Sequence, residues 1–229
     1  MGMKIVIFGG SGTLGTELQR IFIKNEIITP SSQDVDICNY DAVRKCIENT
    51  KPDIIINTAA IINNVEIEKS SKQALHTNII GSANIAAQCN KYNIRLVYIS
   101  TDYIYSGDKG SYLESDDINP VNLYAWTKLG GECSVKCVKN HLIVRTSFGS
   151  GKFPYTHAFT NQYTSKDYVD IIAPMIVKAT LSSKIGVINI GTDKKSMHDY
   201  AIKRNKNVQP SKTLSRDHSL NINKYYEIN

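Results

Sequence analysis

Four glycines, Gly9, Gly10, Gly12 and Gly15, stand between a short apolar run, Ile5-Val6-Ile7-Phe8, and a stretch from about Leu14 to Ile23 whose apolar residues recur at helical spacing. An unbroken apolar run of this length, bounded by glycine, reads as a strand buried on both faces. The chain therefore starts as a strand, a tight turn and a helix. Each glycine of the GxxGxxG pattern has a physical task there. Gly9 permits the turn, Gly12 lets backbone come close to a ligand, and Gly15 lets the helix pack on the strand. The free N–H groups and positive dipole end of the helix face the same point, which suits a pyrophosphate. The expectation is a dinucleotide held by Gly9, Ser11, Gly12, Thr13, Leu14 and Gly15.

Further buried strands are expected at Asp53–Asn57, Arg95–Ile99, His141–Val144 and Gly186–Ile190, with helical stretches before them, the longest from about Ser71 to Tyr92. Strands separated by helices imply an α/β fold: a doubly wound parallel sheet of Rossmann type, joined by right-handed crossovers. With 229 residues and 41% hydrophobic content, the chain can bury a substantial core. The predicted division is a nucleotide-binding domain over 1–148 and a small C-terminal substrate-binding lobe over 149–229, which returns a strand near 186–190 to the sheet. Gly149 to Gln162 is the least regular stretch and a candidate substrate loop.

Composition narrows the functional classes. The formal charge of +6 is spread as single residues and pairs, with no basic run interleaved with aromatics, so nucleic-acid binding is not expected. Five cysteines without a CxxC pair argue against disulfides and zinc and for a reducing, cytoplasmic setting. No apolar run approaches the ~20 residues of a membrane span, and the N-terminal apolar run enters glycines directly, unlike a secretory leader.

The reactive chemistry is concentrated in the segment Asn122 to Glu132. Helical spacing places Tyr124 and Lys128 on one face. A phenol ordinarily titrates near about 10, and a neighbouring ammonium is expected to lower that value, so that Tyr124 can donate a proton to a carbonyl oxygen at neutral pH. Ser100-Thr101-Asp102 follows the strand Arg95–Ile99, at a carboxyl edge where doubly wound sheets bind ligands. A hydroxyl there is placed to bond to the same oxygen.

The glycine spacing with YxxxK resembles the extended short-chain dehydrogenase/reductase superfamily. Within it, the run Ser100 to Gly110, continuing through Tyr112, Glu114 and Asn119-Pro120 to Tyr124 and Lys128, looks like the dTDP-4-dehydrorhamnose reductases, with further similarity at Asn57-Thr58-Ala59-Ala60 and Arg145-Thr146-Ser147. The resemblance implies reduction, by NAD(P)H, of the 4-keto group of a nucleotide-linked 4-keto-6-deoxyhexose. It implies catalytic roles for Thr101, Tyr124, Lys128 and Asn78. Cofactor contacts are implied at Thr58, Ala59, Ala60, Tyr124 and Lys128, and at Asp36 and Ile37 beside the adenine. Substrate contacts are implied at Asp102, Tyr103, Arg145, Phe153 and Tyr155, and no metal is implied. The segment Thr29 to Gln33 offers neither an acid for a ribose 2′-hydroxyl nor an arginine for a 2′-phosphate, and its Ser31 and Ser32 tilt the choice between NAD and NADP slightly towards NADPH. Superfamily members dimerise through helices corresponding to Ser71–Tyr92 and Asn119–Lys139, which implies a homodimer. Family reductases usually carry a longer C-terminal lobe, so the base and sugar stay open. Two other readings stay open as well: an epimerase or dehydratase of the same superfamily, and a non-catalytic NADP-binding regulatory subunit.

Overall fold

Period-two patterning of the first strand, with Ile5 and Ile7 on one face and Val6 and Phe8 on the other, separates the interior into two layers. The structure, a computed structural model, describes residues 2–228. β1 (Lys4–Phe8) leads through the glycine turn to α1 (Thr13–Ile21), then β2 (Glu26–Ile28), α2 (Tyr40–Thr50) and β3 (Ile54–Asn57). β4 (Arg95–Thr101) and β5 (His141–Thr146) follow, and Gly186–Ile190 is the sixth strand. The sheet is parallel throughout, and its order from one edge is β2, β1, β3, β4, β5 and the sixth strand. This is the doubly wound parallel sheet expected from the alternation of strands and helices. β2 spans only three residues, too short for a pattern of its own.

The chain reverses its winding direction between β1 and β3, which opens a crevice at the carboxyl ends of the strands. One layer packs α1 and the helix Val169–Leu181 against Ile5, Ile7, Val97, Leu142 and Val144. The other packs α2, the helix Ser82–Tyr92 and the helix Leu123–Val135 against Val6, Phe8, Leu96, Tyr98 and Ile143. The expected long helix begins at Lys72–Ala74 and passes through a π-helical stretch, Leu75–Gly81, before Ser82–Tyr92. Such widened turns are frequent at functional positions, and this one carries Asn78.

Beyond Thr146 the chain builds a group of short strands. Gln162–Thr164 lies between Lys195–Ser196 and Arg216–His218, His157–Phe159 pairs with Gln209–Ser211, and Phe148–Gly149 pairs with Asp167–Tyr168. The expected irregular loop is thus partly ordered by strand pairing with residues some 50 positions away. Phe153, Tyr168, Tyr200 and Val208 form its small core.

The helix Leu123–Val135 is fixed to β5 by a buried ion pair. Arg145, 1% exposed, donates to both carboxylate oxygens of Glu132, at 3.1 Å from Nε and 2.8 Å from Nη2. Its Nη1 donates to the Tyr105 hydroxyl at 2.8 Å and to the Glu114 carbonyl at 3.1 Å. Removing one partner strands the other charge away from water. Glu132→Ala is expected to cost about 3–5 kcal/mol in urea denaturation, and adding Arg145→Met to that variant should recover part of the loss. Equal stability of the single and double variants would show that the charge is not stranded.

Candidate functional site

A cleft of about 470 Å³ opens at the switch between β1 and β3, within the size range of small-molecule sites. Gly12 to Gly15 form one wall, and the ends of β4 and β5 form the other. Gly9 turns the chain at φ +86°, where an added Cβ would collide with the Ala59 amide and the Thr58 hydroxyl. A Cβ on Gly15 would meet the Gly9 carbonyl, so the helix can approach the turn only because that position is bare. Gly12 is the N-cap of α1 and supplies no side-chain cap. The N–H groups of the first turn at Thr13, Leu14 and Gly15 thus present themselves to the cleft, a donor set that fits a dinucleotide pyrophosphate. Thr58 and Ala60 also line it, and the Thr58 hydroxyl donates to the Phe8 and Gly9 carbonyls at 2.9 and 3.1 Å, stitching the end of β3 to the glycine turn. Gly9, Ser11 and Ala59 lie outside the lining.

Thr101, Asp102, Tyr103, Tyr124 and Lys128 come together on the opposite side. Asn122 caps the helix that carries the last two, its side chain accepting from the Ala125 amide at 2.8 Å. Asn78, fully buried, accepts from the Ile61 amide at 2.8 Å and donates to the Ile61 carbonyl and to the Thr127 hydroxyl. It ties the backbone beyond β3 to the turn between Tyr124 and Lys128, as a positioning residue does.

Burial sets the proton affinities. It draws Lys128 down to about 7 against the opposing pull of Glu132, and the ammonium sits 4.0 Å from the centre of the Tyr98 ring. Burial pushes Asp102 up to about 7, opposed by Lys166, the Thr101 hydroxyl and backbone N–H groups. The Tyr103 phenol rises to about 12 through burial and the nearby Asp102. The Tyr124 phenol was expected to be lowered. In the protein alone it is raised instead, first by burial and then by Asp102 and Tyr103, with only the Thr101 hydroxyl favouring the phenolate. Lys128 is not among the groups that shift it, and its own charge is weakened by burial.

Other expected contacts stand elsewhere. Arg145 does not line the cleft, since its guanidinium is committed to Glu132, Tyr105 and Glu114. Phe153 is buried in the small C-terminal core and Tyr155 is exposed beside it, their ring centres 5.5 Å apart, and neither lines the cleft. Ser31, Ser32, Asp36 and Ile37 also lie outside its lining. The Ser31 hydroxyl donates to Asp34 at 2.6 Å, and that bond with the Ser31 N–H holds the Asp34 carboxyl below its usual range. An ionised carboxylate therefore stands one residue beyond Thr29–Gln33, bonded to Ser31. Asp36 accepts from the Cys38 amide, and the Ile37 carbonyl accepts from Asn84. Lys166 and Ser150, which no motif singles out, line the cleft, as does Ser147 after β5. No helix among the described residues is long and apolar enough to cross a membrane.

Residues 3–203 match the family model described as RmlD substrate binding domain. The chain is 30% identical over 196 residues to the dTDP-4-dehydrorhamnose reductase of Aggregatibacter actinomycetemcomitans, covering 82% of this chain and 66% of that protein. It is 30% identical over 141 residues to methionine adenosyltransferase 2 subunit beta of Bos taurus, covering 58% of this chain and 42% of that one. The chain spans between about half and two thirds of the length of the curated reductases it matches. The crystal structure of dTDP-4-dehydrorhamnose reductase from Bacillus anthracis in complex with NADP superposes with a TM-score of 0.88 at 28% identity, over 99% of this chain and 91% of that one.

A buried acid that ionises late weakens the fold as pH rises. The unfolded Asp102 ionises near its ordinary value and the folded one near 7, so the penalty grows between those values and is complete above the higher one. Asp102→Asn is expected to raise stability at pH 8 by roughly 1–3 kcal/mol and to leave it unchanged below pH 4, by urea unfolding at both values. A difference independent of pH would contradict the burial of this carboxyl as an acid.

Proposed function

This chain belongs to the RmlD substrate binding domain family, and from that premise we propose that it reduces the 4-keto group of a nucleotide-linked 4-keto-6-deoxyhexose with NADPH or NADH. The observation that carries the proposal is the convergence of Thr101, Tyr124 and Lys128 on the cleft that the glycine turn also lines. The first turn of α1 would hold the pyrophosphate of the cofactor, which supplies a hydride when bound. Tyr124 donates a proton to the keto oxygen, and the Thr101 hydroxyl, turned away from Asp102, donates a hydrogen bond to it. Lys128, titrating near neutrality, is suited to pass a proton on towards Tyr124. The Tyr124 phenol, which the protein alone leaves without a positive neighbour, would meet such a charge only once hydride had left the cofactor. Asp102 and Tyr103, one buried and one partly exposed at the same edge, meet the sugar.

The crystallised relative with NADP supports a nicotinamide cofactor, and Asp34 beside Ser31 leaves NAD in competition with NADP. Exposed Leu75, Ile80, Leu123 and Trp126 on the two helices named for dimerisation support a homodimer. The similarity to an adenosyltransferase subunit supports a second reading, a cofactor-binding regulatory protein. Retention of the threonine, tyrosine and lysine in one cleft favours chemistry over that reading.

A screen of NADPH and NADH consumption over nucleotide-linked 4-keto sugars, beginning with dTDP-4-dehydrorhamnose, tests the assignment. Tyr124→Phe is expected to lower turnover at least about a hundredfold while cofactor affinity, measured by fluorescence titration, stays within about twofold. Wild-type turnover in that variant would remove Tyr124 as the proton donor. No consumption with any such sugar would favour the regulatory reading.

A further inference from the structure

The cleft contains one charged side chain for which the reaction above has no use. Lys166 lies on the turn between the strands Gln162–Thr164 and Asp167–Tyr168, and its side chain lines the cleft. The turn holds it firmly. Its amide donates to the Thr164 hydroxyl at 2.9 Å, and its carbonyl accepts from Lys195 Nζ at 3.1 Å. The next residue, Asp167, is already occupied by Lys203 at 2.6 Å and by the Thr192 hydroxyl at 2.9 Å. Among the described residues Lys166 forms neither an ion pair nor a side-chain hydrogen bond, although burial draws its ammonium below the usual range. Its nearest aromatic neighbour is the Tyr200 ring, 5.5 Å from Nζ to the ring centre. Its stem runs past Gly149, where a side chain would stand in van der Waals contact with it. A half-buried donor of three hydrogen bonds that lines the cleft and is bonded to no protein acceptor is open to a ligand's oxygens.

The identity of that ligand follows from what faces the ammonium. Asp102 is close enough for each charge to stabilise the other, and Asp102 is also bonded to Thr101, whose hydroxyl donates to it at 3.3 Å. A diphosphate placed at Lys166 would meet Asp102, which is ionised above about 7 and would then repel it. Neutral sugar oxygens satisfy both groups at once, because a hydroxyl donates to the carboxylate and accepts from the ammonium. We propose that Lys166 is a substrate-positioning residue that, with Asp102, grips hydroxyl oxygens of the sugar ring and orients its carbonyl towards Thr101 and Tyr124. This rests on the nucleotide-sugar reading of the cleft.

The groups that face Asp102 are Lys166, Tyr103, Tyr124 and Thr101, while Lys128 in the same cleft couples to Glu132. Removing the Lys166 ammonium takes away a group that favours the Asp102 carboxylate, so Asp102 must ionise later.

The test uses the full chain with saturating NADPH and compares Lys166→Met and Lys166→Arg with the wild type in calorimetric titrations with dTDP-rhamnose and with dTDP. The expected result is at least a tenfold loss of dTDP-rhamnose affinity in Lys166→Met, with dTDP and NADPH affinities within twofold and partial rescue in Lys166→Arg. The acid limb of dTDP-rhamnose binding should also move to higher pH in Lys166→Met. Unchanged dTDP-rhamnose affinity would overturn the proposal, and so would an equal loss for dTDP, which would assign the lysine to the diphosphate. If the wild type binds NADPH but neither nucleotide, the proposed function itself falls, and the Lys166 assignment falls with it. Retained NADPH affinity in the variants separates all of these outcomes from misfolding.

Discussion

A guanidinium and a carboxylate with almost no access to water, Arg145 and Glu132, connect the sheet to the helix that carries Tyr124 and Lys128. Such a pair gives up strong hydration and regains it only through geometry, and here the geometry is a two-pronged contact of guanidinium on carboxylate. The arrangement reaches further than two residues. Arg145 also holds the Tyr105 hydroxyl and the Glu114 carbonyl, and the Glu114 carboxylate accepts from the Asn189 amide in the sixth strand. One buried charge therefore sets the distance between β5, the Tyr–Lys helix and the segment that follows Thr101. Replacing it by apolar residues would preserve packing but leave that spacing less uniquely specified.

The cleft beside this frame is electrostatically unsettled. Lys128 and Asp102 are both pushed by burial towards the form without charge, one downwards and the other upwards, until both titrate close to neutrality. A structural ion pair would avoid this condition, and Arg145 avoids it: burial opposes its charge, but Glu132 and Tyr105 together more than offset that cost. The contrast separates groups that fix geometry from groups left ready to exchange or share protons with a ligand. Tyr124 belongs with the second set, since its phenol is raised by burial and by Asp102 and has only Thr101 to oppose that. Nothing in the protein alone loosens the Tyr124 proton beyond Thr101, and a nicotinamide would carry a positive charge to do so only as it gave up its hydride.

How much of this is legible in the sequence depends on range. β1, its glycine turn and the helix after it declare themselves within about 15 residues, because strand, turn and helix each leave a local pattern. YxxxK is similarly local. Arg145 was legible as a residue of interest but not in its partner: nothing in the spacing of Glu132 and Arg145 says that they meet, since one lies on a helix and the other on a strand. Asp34 is hidden in the same way: it follows Thr29–Gln33 by one residue and reaches Ser31 through a turn. Phe153 and Tyr155 look like aromatic substrate contacts in an irregular loop, yet Phe153 was needed to fill the small core against Tyr200 and Val208.

Lys166 lies at the far end of that scale. Its position is produced by three strand pairings at once: Phe148–Gly149 with Asp167–Tyr168, and Gln162–Thr164 with both Lys195–Ser196 and Arg216–His218. Each joins segments about 20 to 54 positions apart, so no window of sequence contains the information. The pairings also bring Ser150 and Lys166 to a wall of the cleft. Short strands bury few side chains, and the Phe153, Tyr168 and Tyr200 core is correspondingly small. What they deliver is backbone register, which aims a single lysine past the bare Gly149 into the cleft. A region built in this way places its side chains through hydrogen-bonded backbone rather than through a large apolar interior.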